Sequence, residues 1–223
     1  MSASPLVAPV IFQLGPVPIT APVLGTFAVM ALLAGLAWVA STRLANRPAR
    51  WQSALEILVL AIEQQLRDIM HCDPRPYLAL LGTLFLFLLS ANLSGLFPGV
   101  TPPTAYIETA AALAVVVFFS THWFGIRRRG LASYLGSYLE PRWFMLPLNV
   151  LSELTRTFSL MVRLFGNVMS GHFVIAIVLS LAGLLVPVPL MALELLTGVV
   201  QAYIFTVLSA VFIGAAVGSI ERG

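Results

Sequence analysis

From Trp143 to Val186 the chain is apolar apart from scattered polar residues. Wound as a helix at ~1.5 Å per residue, that run would reach about 66 Å, twice the ~30 Å hydrocarbon core of a bilayer. It must be broken or steeply tilted, and Pro147 can break it only near its start. Three further runs, about 21–40, 77–96 and 106–124, are each long enough to cross, and after Pro187-Val188-Pro189 the stretch 190–220 returns. With the tilted segment taken as 148–186, the sequence predicts five transmembrane helices, the last two forming a long steeply tilted hairpin, in a single membrane domain over 1–223. Only 9% of residues are charged and 59% are hydrophobic, with mean hydropathy +0.96, which excludes an ordinary water-soluble globule. The fold class is therefore all-α and integral to the membrane.

Between the first two spans the pattern changes. Leu55, Leu58, Val59, Ile62, Leu66 and Ile69 recur at helical spacing while Glu56, Glu63, Arg67 and Asp68 interrupt them. This predicts an amphipathic helix over about 51–70 lying at the cytoplasmic interface, ended by Asp73-Pro74-Arg75-Pro76.

All twelve basic residues are arginine, and none falls in the segments assigned to the outside, 1–20, 97–106 and 183–190. The positive-inside rule then places the N-terminus outside and the C-terminus in the cytoplasm. Because the arginines lie between apolar runs rather than on a soluble patch, the net charge of +3 describes topology and not nucleic-acid binding. Cys72 is the only cysteine, so no intrachain disulfide exists. The first apolar run lacks a basic n-region, so it is expected to stay in the mature chain.

Polar residues at membrane depth are costly and mark function by default. Asn149, Ser152, Arg156, Ser159, Arg163, Asn167 and Ser170 recur three or four apart and share one helix face, with Glu153 beside them. Arg156 is nearer the cytoplasmic end, where its stem could snorkel or join a polar seam between helices. Arg163 is too deep to reach either surface and keeps its charge under nearly all conditions. It has no Asp or Glu within one turn in sequence, which implies a carboxylate partner on another helix or another chain. On the returning helix Glu194 and Gln201 share a face, Gln201 at a depth that could meet Arg163. His172, nearer the outside, could pair with Glu194 in proton exchange. Glu108 and Asn92 lie toward the outer half as weaker candidates. Gly166, Ser170, Gly171, Gly198 and Gly214 read as close helix packing.

The run Ser159-Leu-Met-Val-Arg163-Leu-Phe-Gly-Asn167-Val-Met-Ser-Gly171-His172 resembles the segment around the essential arginine of subunit a of the F-type ATP synthase. Gln201-Ala-Tyr-Ile-Phe-Thr-Val-Leu is similar to that family's last helix, and Pro147-Leu-Asn-Val-Leu-Ser-Glu153, Gly82-Thr-Leu-Phe-Leu-Phe and Asn92-Leu-Ser-Gly extend the likeness over most of the chain after residue 50. The resemblance implies a stator subunit of a rotary ATP synthase, not an enzyme on its own, that forms two proton half-channels against a ring of c subunits. It also implies a b-subunit peripheral stalk as partner, a bacterial inner-membrane location and no cofactor or metal. In that mechanism a ring carboxylate, neutral in lipid, ionises on meeting Arg163 and is reprotonated from the other side. His172 and Glu194 would belong to the outer half-channel, with Glu108 and Asn92 as further wall residues, and Glu153 to the inner one. Asn167 and Gln201 would orient Arg163 or the water beside it. The chain has His172 where many relatives are acidic and Glu194 where they have histidine, and Tyr106 and Glu108 where they tend to have Asp and Asn. The alternatives are a sodium-coupled version of the same subunit, a secondary transporter, or an intramembrane hydrolase, for which no HExxH motif or convincing serine context exists.

Overall fold

A computed structural model describes residues 10–14, 17–42, 50–95, 101–131, 133–134, 136, 146–182 and 187–218. A short antiparallel hairpin, β1 (Val10–Leu14) and β2 (Val17–Thr20), precedes the helices, with Leu14 opposite Val17 and an irregularity between Val10 and Phe12. Its β-branched and aromatic residues flank Gly15-Pro16, a composition suited to a strand pair. The helices are α1 (Ala21–Thr42), α2 (Arg50–Met70), α3 (Arg75–Ser94), α4 (Ile107–Arg129), α5 (Leu146–Ala182) and α6 (Pro187–Val217), with a 3-10 turn at Pro103–Ala105. All but α2 are long and apolar enough to cross a membrane.

Prolines set several helix starts, because the first turn needs no intrahelical N–H donor. Pro74 is the N-cap of α3, and Pro147, Pro187 and Pro189 all fall in the first turns of α5 and α6. Pro187 and Pro189 thus begin the returning helix instead of making the turn ahead of it, and Pro147 leaves the long run of α5 intact. Helix α4 continues beyond the expected exit at Phe124 through Arg127, Arg128 and Arg129, whose charges suit a helix C-terminus, and stops at Gly130 with φ 82°. At 37 and 31 residues, α5 and α6 reach about 55 and 46 Å, too long to stand upright in a ~30 Å core.

Helix α6 is the hub, packing against α2, α3, α4 and α5. One core layer joins Leu84 and Leu88 of α3, Ala110, Ala114 and Val117 of α4, Leu160, Leu164 and Val168 of α5, and Ala202 and Phe205 of α6. The alanines let the helix backbones approach closely, as is usual where lipid supplies no hydrophobic drive between helices. A second layer seats the apolar face of α2, through Leu66 and Met70, on Tyr77 and Leu81 of α3 and on Ala210, Ile213 and Val217 of α6. The polar face of α2 is tied along its own length by Gln52 to Glu56, Gln64 to Asp68 and Arg67 to Glu63 pairs at 3.0–3.1 Å. Buried hydroxyls on α4 and α6 donate one turn back to their own helix, Thr121 to Val117, Thr206 to Ala202 and Ser209 to Phe205.

Candidate functional site

Among the described residues of α5 only Leu160, Leu164 and Val168 are buried, a stripe of i, i+4 and i+8 positions that fixes which way the helix faces. The opposite face carries Leu148, Leu151, Ser152, Thr155, Ser159, Val162, Arg163, Gly166 and Ser170, all exposed. Arg163 stands in the middle of it. Among the described residues its guanidinium has no hydrogen bond and no ion pair. It lines an open groove of about 490 Å³ with Ser152, Arg156 and Ser159 of α5 and Leu208 and Phe212 of α6. A Cβ on Gly166 would meet nothing within 4 Å. That glycine is not a packing contact within the chain, contrary to the sequence expectation; it keeps the surface beside Arg163 flat.

One turn above Arg163, Asn167 Nδ2 donates to Gln201 Oε1 at 3.4 Å, joining α5 to α6. Gln201 is 4% exposed, and its own Nε2 is buried with no partner. The two amides are thus held to each other, and neither bonds Arg163.

On one side of Arg163, α3, α5 and α6 converge on a polar cluster. His172 Nε2 lies 3.5 Å from Glu194 Oε1, an ion-pair distance, and both atoms are buried without a hydrogen-bond partner. Glycines make the pair possible: a Cβ on Gly171 would sit 3.0 Å from Glu194 Oε1, and one on Gly95 would sit 3.3 Å from His172 Nε2. Asn92 closes the cluster by donating to Gly198 O at 2.8 Å and accepting from Thr104 Oγ1 at 2.7 Å. Gly198 is again the close approach, its Cβ position 3.0 Å from Asn92 Cβ. Thr104 escaped the sequence reading, and its only local mark is its place after Pro102-Pro103. Glu108 is not brought in; it is exposed in the first turn of α4, where a carboxylate suits the helix N-terminus.

On the other side of Arg163 a smaller cavity of about 210 Å³ is lined by Glu153, Asn149, Ser152 and Arg156 of α5, Thr121 and Arg129 of α4, Tyr134, and Phe212 of α6. Tyr134 is buried against Gly125, where any side chain would overlap its ring, and the Arg129 guanidinium lies against Gly218 at the end of α6. Glu153 was expected on this side. Thr121, Arg129 and Tyr134 were not, because nothing in their own segments signals that they meet α5.

The two polar sites lie on opposite sides of Arg163, about 13 Å along α5 to His172 and about 15 Å to Glu153. The apolar layer of Leu160, Leu164, Ala110, Ala114, Val117 and Phe205 fills the space behind it. The model of the family described as ATP synthase A chain matches residues 23–214. The chain belongs to the ATP synthase A chain family. It is 59% identical over 223 residues to ATP synthase subunit a 2 of a Bradyrhizobium species, covering 100% of both chains. It is 46% identical over 209 residues to ATP synthase subunit a of Albidiferax ferrireducens, covering 93% of this chain and 90% of that one. Against ATP synthase subunit a 1 of Chlorobaculum parvum the identity is 45% over 215 residues, covering 96% and 95%. A member of the ATP synthase A chain family with five apolar crossings is an integral membrane component of that complex.

Proposed function

We propose that the chain works as the membrane stator of a rotary ATP synthase, with the outer cluster and the inner cavity as the two proton half-channels that end on either side of Arg163. The observation that carries this reading is an exposed, unpartnered arginine between two polar sites that a packed apolar layer keeps apart. A static charge of that kind calls for a partner that arrives and leaves. A ring of c subunits supplies one: each carries a carboxylate that stays neutral in lipid and ionises beside a fixed cation. At ~4 Å and an effective dielectric near 20, Arg163 would favour the ionised form by about 4 kcal/mol, or about three pH units. The released proton would leave through the cavity around Glu153. After rotation the next carboxylate would be reloaded through His172 and Glu194, with Asn92 and Thr104 shaping the wall. Arg163 also repels any cation that would run straight from one half-channel to the other.

The Asn167–Gln201 pair would hold α5 and α6 in register at the level of Arg163 and present the spare Gln201 Nε2 to water or to the ring. A b-subunit stalk would hold the stator against the turning ring, and ATP chemistry would belong to other subunits of the complex. The arginine distribution supports an N-terminus outside and a C-terminus in the cytoplasm, and the membrane on this reading is a bacterial inner membrane. A secondary transporter would pair its intramembrane arginine within its own chain. The test is ATP-driven acidification of vesicles carrying the intact complex, with and without sodium. Arg163→Ala should abolish it, and so should Arg163→Lys, whose ammonium lacks the planar donor fork; pumping at the wild-type rate by Arg163→Ala overturns the reading.

A further inference from the structure

Arg156 lies seven residues, two helical turns, before Arg163 on the same face of α5, about 10 Å toward the cytoplasm. Its guanidinium carbon sits 5.6 Å from the centroid of the Phe212 ring of α6, within cation–π range. Among the described residues it has no hydrogen bond or ion pair. Ser152, Arg156 and Phe212 are the three residues common to the groove that holds Arg163 and to the inner cavity that holds Glu153. Arg156 is the charged one, so it stands where the groove opens into the cavity. The charged or titratable groups around it are Arg163 and Glu153 on its own helix, Arg129 on α4, and Tyr134; the part of α6 against it contributes only Leu208, Phe212, Ala215 and Ala216.

We propose that Arg156, held over Phe212, is the inner gate residue of this subunit: a fixed cation at the passage from the ring-facing groove to the Glu153 cavity that biases ring carboxylates toward release on the cytoplasmic side. It is a positioning residue, acting through its field on a carboxylate that Arg163 contacts, and the proposal rests on the half-channel reading above. The Arg156 charge adds to Arg163 in favouring the ionised ring carboxylate. At ~10 Å and an effective dielectric near 20, its removal should raise the carboxylate's apparent pKa by about one unit. The His172–Glu194 pair is about 24 Å from Arg156 along α5, beyond the ~10 Å screening length of 0.1 M salt, so loading from the outside should not respond.

The experiment uses the whole complex in vesicles and measures proton flux while inner and outer pH are varied separately. Arg156→Gln should shift the inner-pH midpoint upward by about one unit and leave the outer-pH midpoint in place, and Arg156→Lys should restore the wild-type profile. Phe212→Leu, which removes the ring beneath the guanidinium, should shift the inner midpoint in the same direction by less, and it decides the matter if Arg156→Gln does not assemble. An unmoved inner midpoint, or inner and outer midpoints moving together, overturns the gate. An inactive Arg163→Ala beside an unmoved Arg156→Gln refutes the gate alone, whereas an active Arg163→Ala refutes the half-channel reading beneath it.

Discussion

The His172–Glu194 pair depends on a glycine, and replacing that glycine gives a graded test of the proposed outer half-channel. A methyl on Gly171 would stand 3.0 Å from Glu194 Oε1 and 3.2 Å from its Cδ and Cγ. Ordinary contact asks for about 3.5 Å, so in Gly171→Ala the carboxylate must retreat by roughly 0.5 Å, and the prediction is that this lengthens its 3.5 Å separation from His172 Nε2 by as much. When the proton sits on the imidazole the two side chains are oppositely charged. With an effective dielectric near 20, their attraction falls from about 4.7 to about 4.1 kcal/mol over that retreat, roughly a threefold change in the population of the charged pair. Proton uptake from the outer side should therefore slow by about threefold in vesicles whose catalytic sector has been stripped, with the dependence on inner pH unchanged. Shortening the acid should relieve the crowding, so Gly171→Ala with Glu194→Asp should be faster than Gly171→Ala alone. Wild-type uptake in Gly171→Ala, or a double variant slower than the product of the two single effects, would refute the idea that Gly171 exists to admit the Glu194 carboxylate.

Two other substitutions probe different surfaces. Gly166→Leu should leave the folded chain at wild-type stability, since a Cβ there meets nothing within 4 Å and the position is exposed, yet should reduce recovery of the c ring with the purified complex at least tenfold. Asn92→Ala removes a 2.8 Å bond to Gly198 O and a 2.7 Å bond from Thr104 Oγ1, and at ~1 kcal/mol for each hydrogen bond thermal unfolding in detergent should show a loss of about 2 kcal/mol.

What the sequence reveals here is governed by how far each residue's signal extends along its own helix. Crossing segments announce themselves by length alone, and the amphipathic α2 by its interrupted periodicity. Arg163 is conspicuous because a cation so deep has no cheap explanation. The His172–Glu194 meeting could be anticipated because two adjacent antiparallel helices fix relative depth. Asn92 was harder, for a lone amide on one helix does not say which carbonyl on another it will reach; Gly198 O and Thr104 Oγ1 emerge only from packing. Glu108 looked equivalent to Asn92 by depth, yet its position in the first turn of α4 leaves it solvated. Arg129 and Tyr134 belong to the end of α4 and the segment after it, where nothing in their spacing points to Glu153. The β1–β2 pair has no signal in span length; its mark in the sequence is the short β-branched runs around Gly15-Pro16.

The outward-facing Arg163 also bears on the order in which the complex is built. Inserted alone, the subunit would hold a bare cation against lipid, a state that costs several kcal/mol even by the mildest insertion scales. On the proposed stator reading, docking against the ring would remove that cost. Biogenesis is thereby coupled to stoichiometry: surplus copies of this chain are energetically marked as orphans, open to membrane quality control, while copies seated on a ring are not.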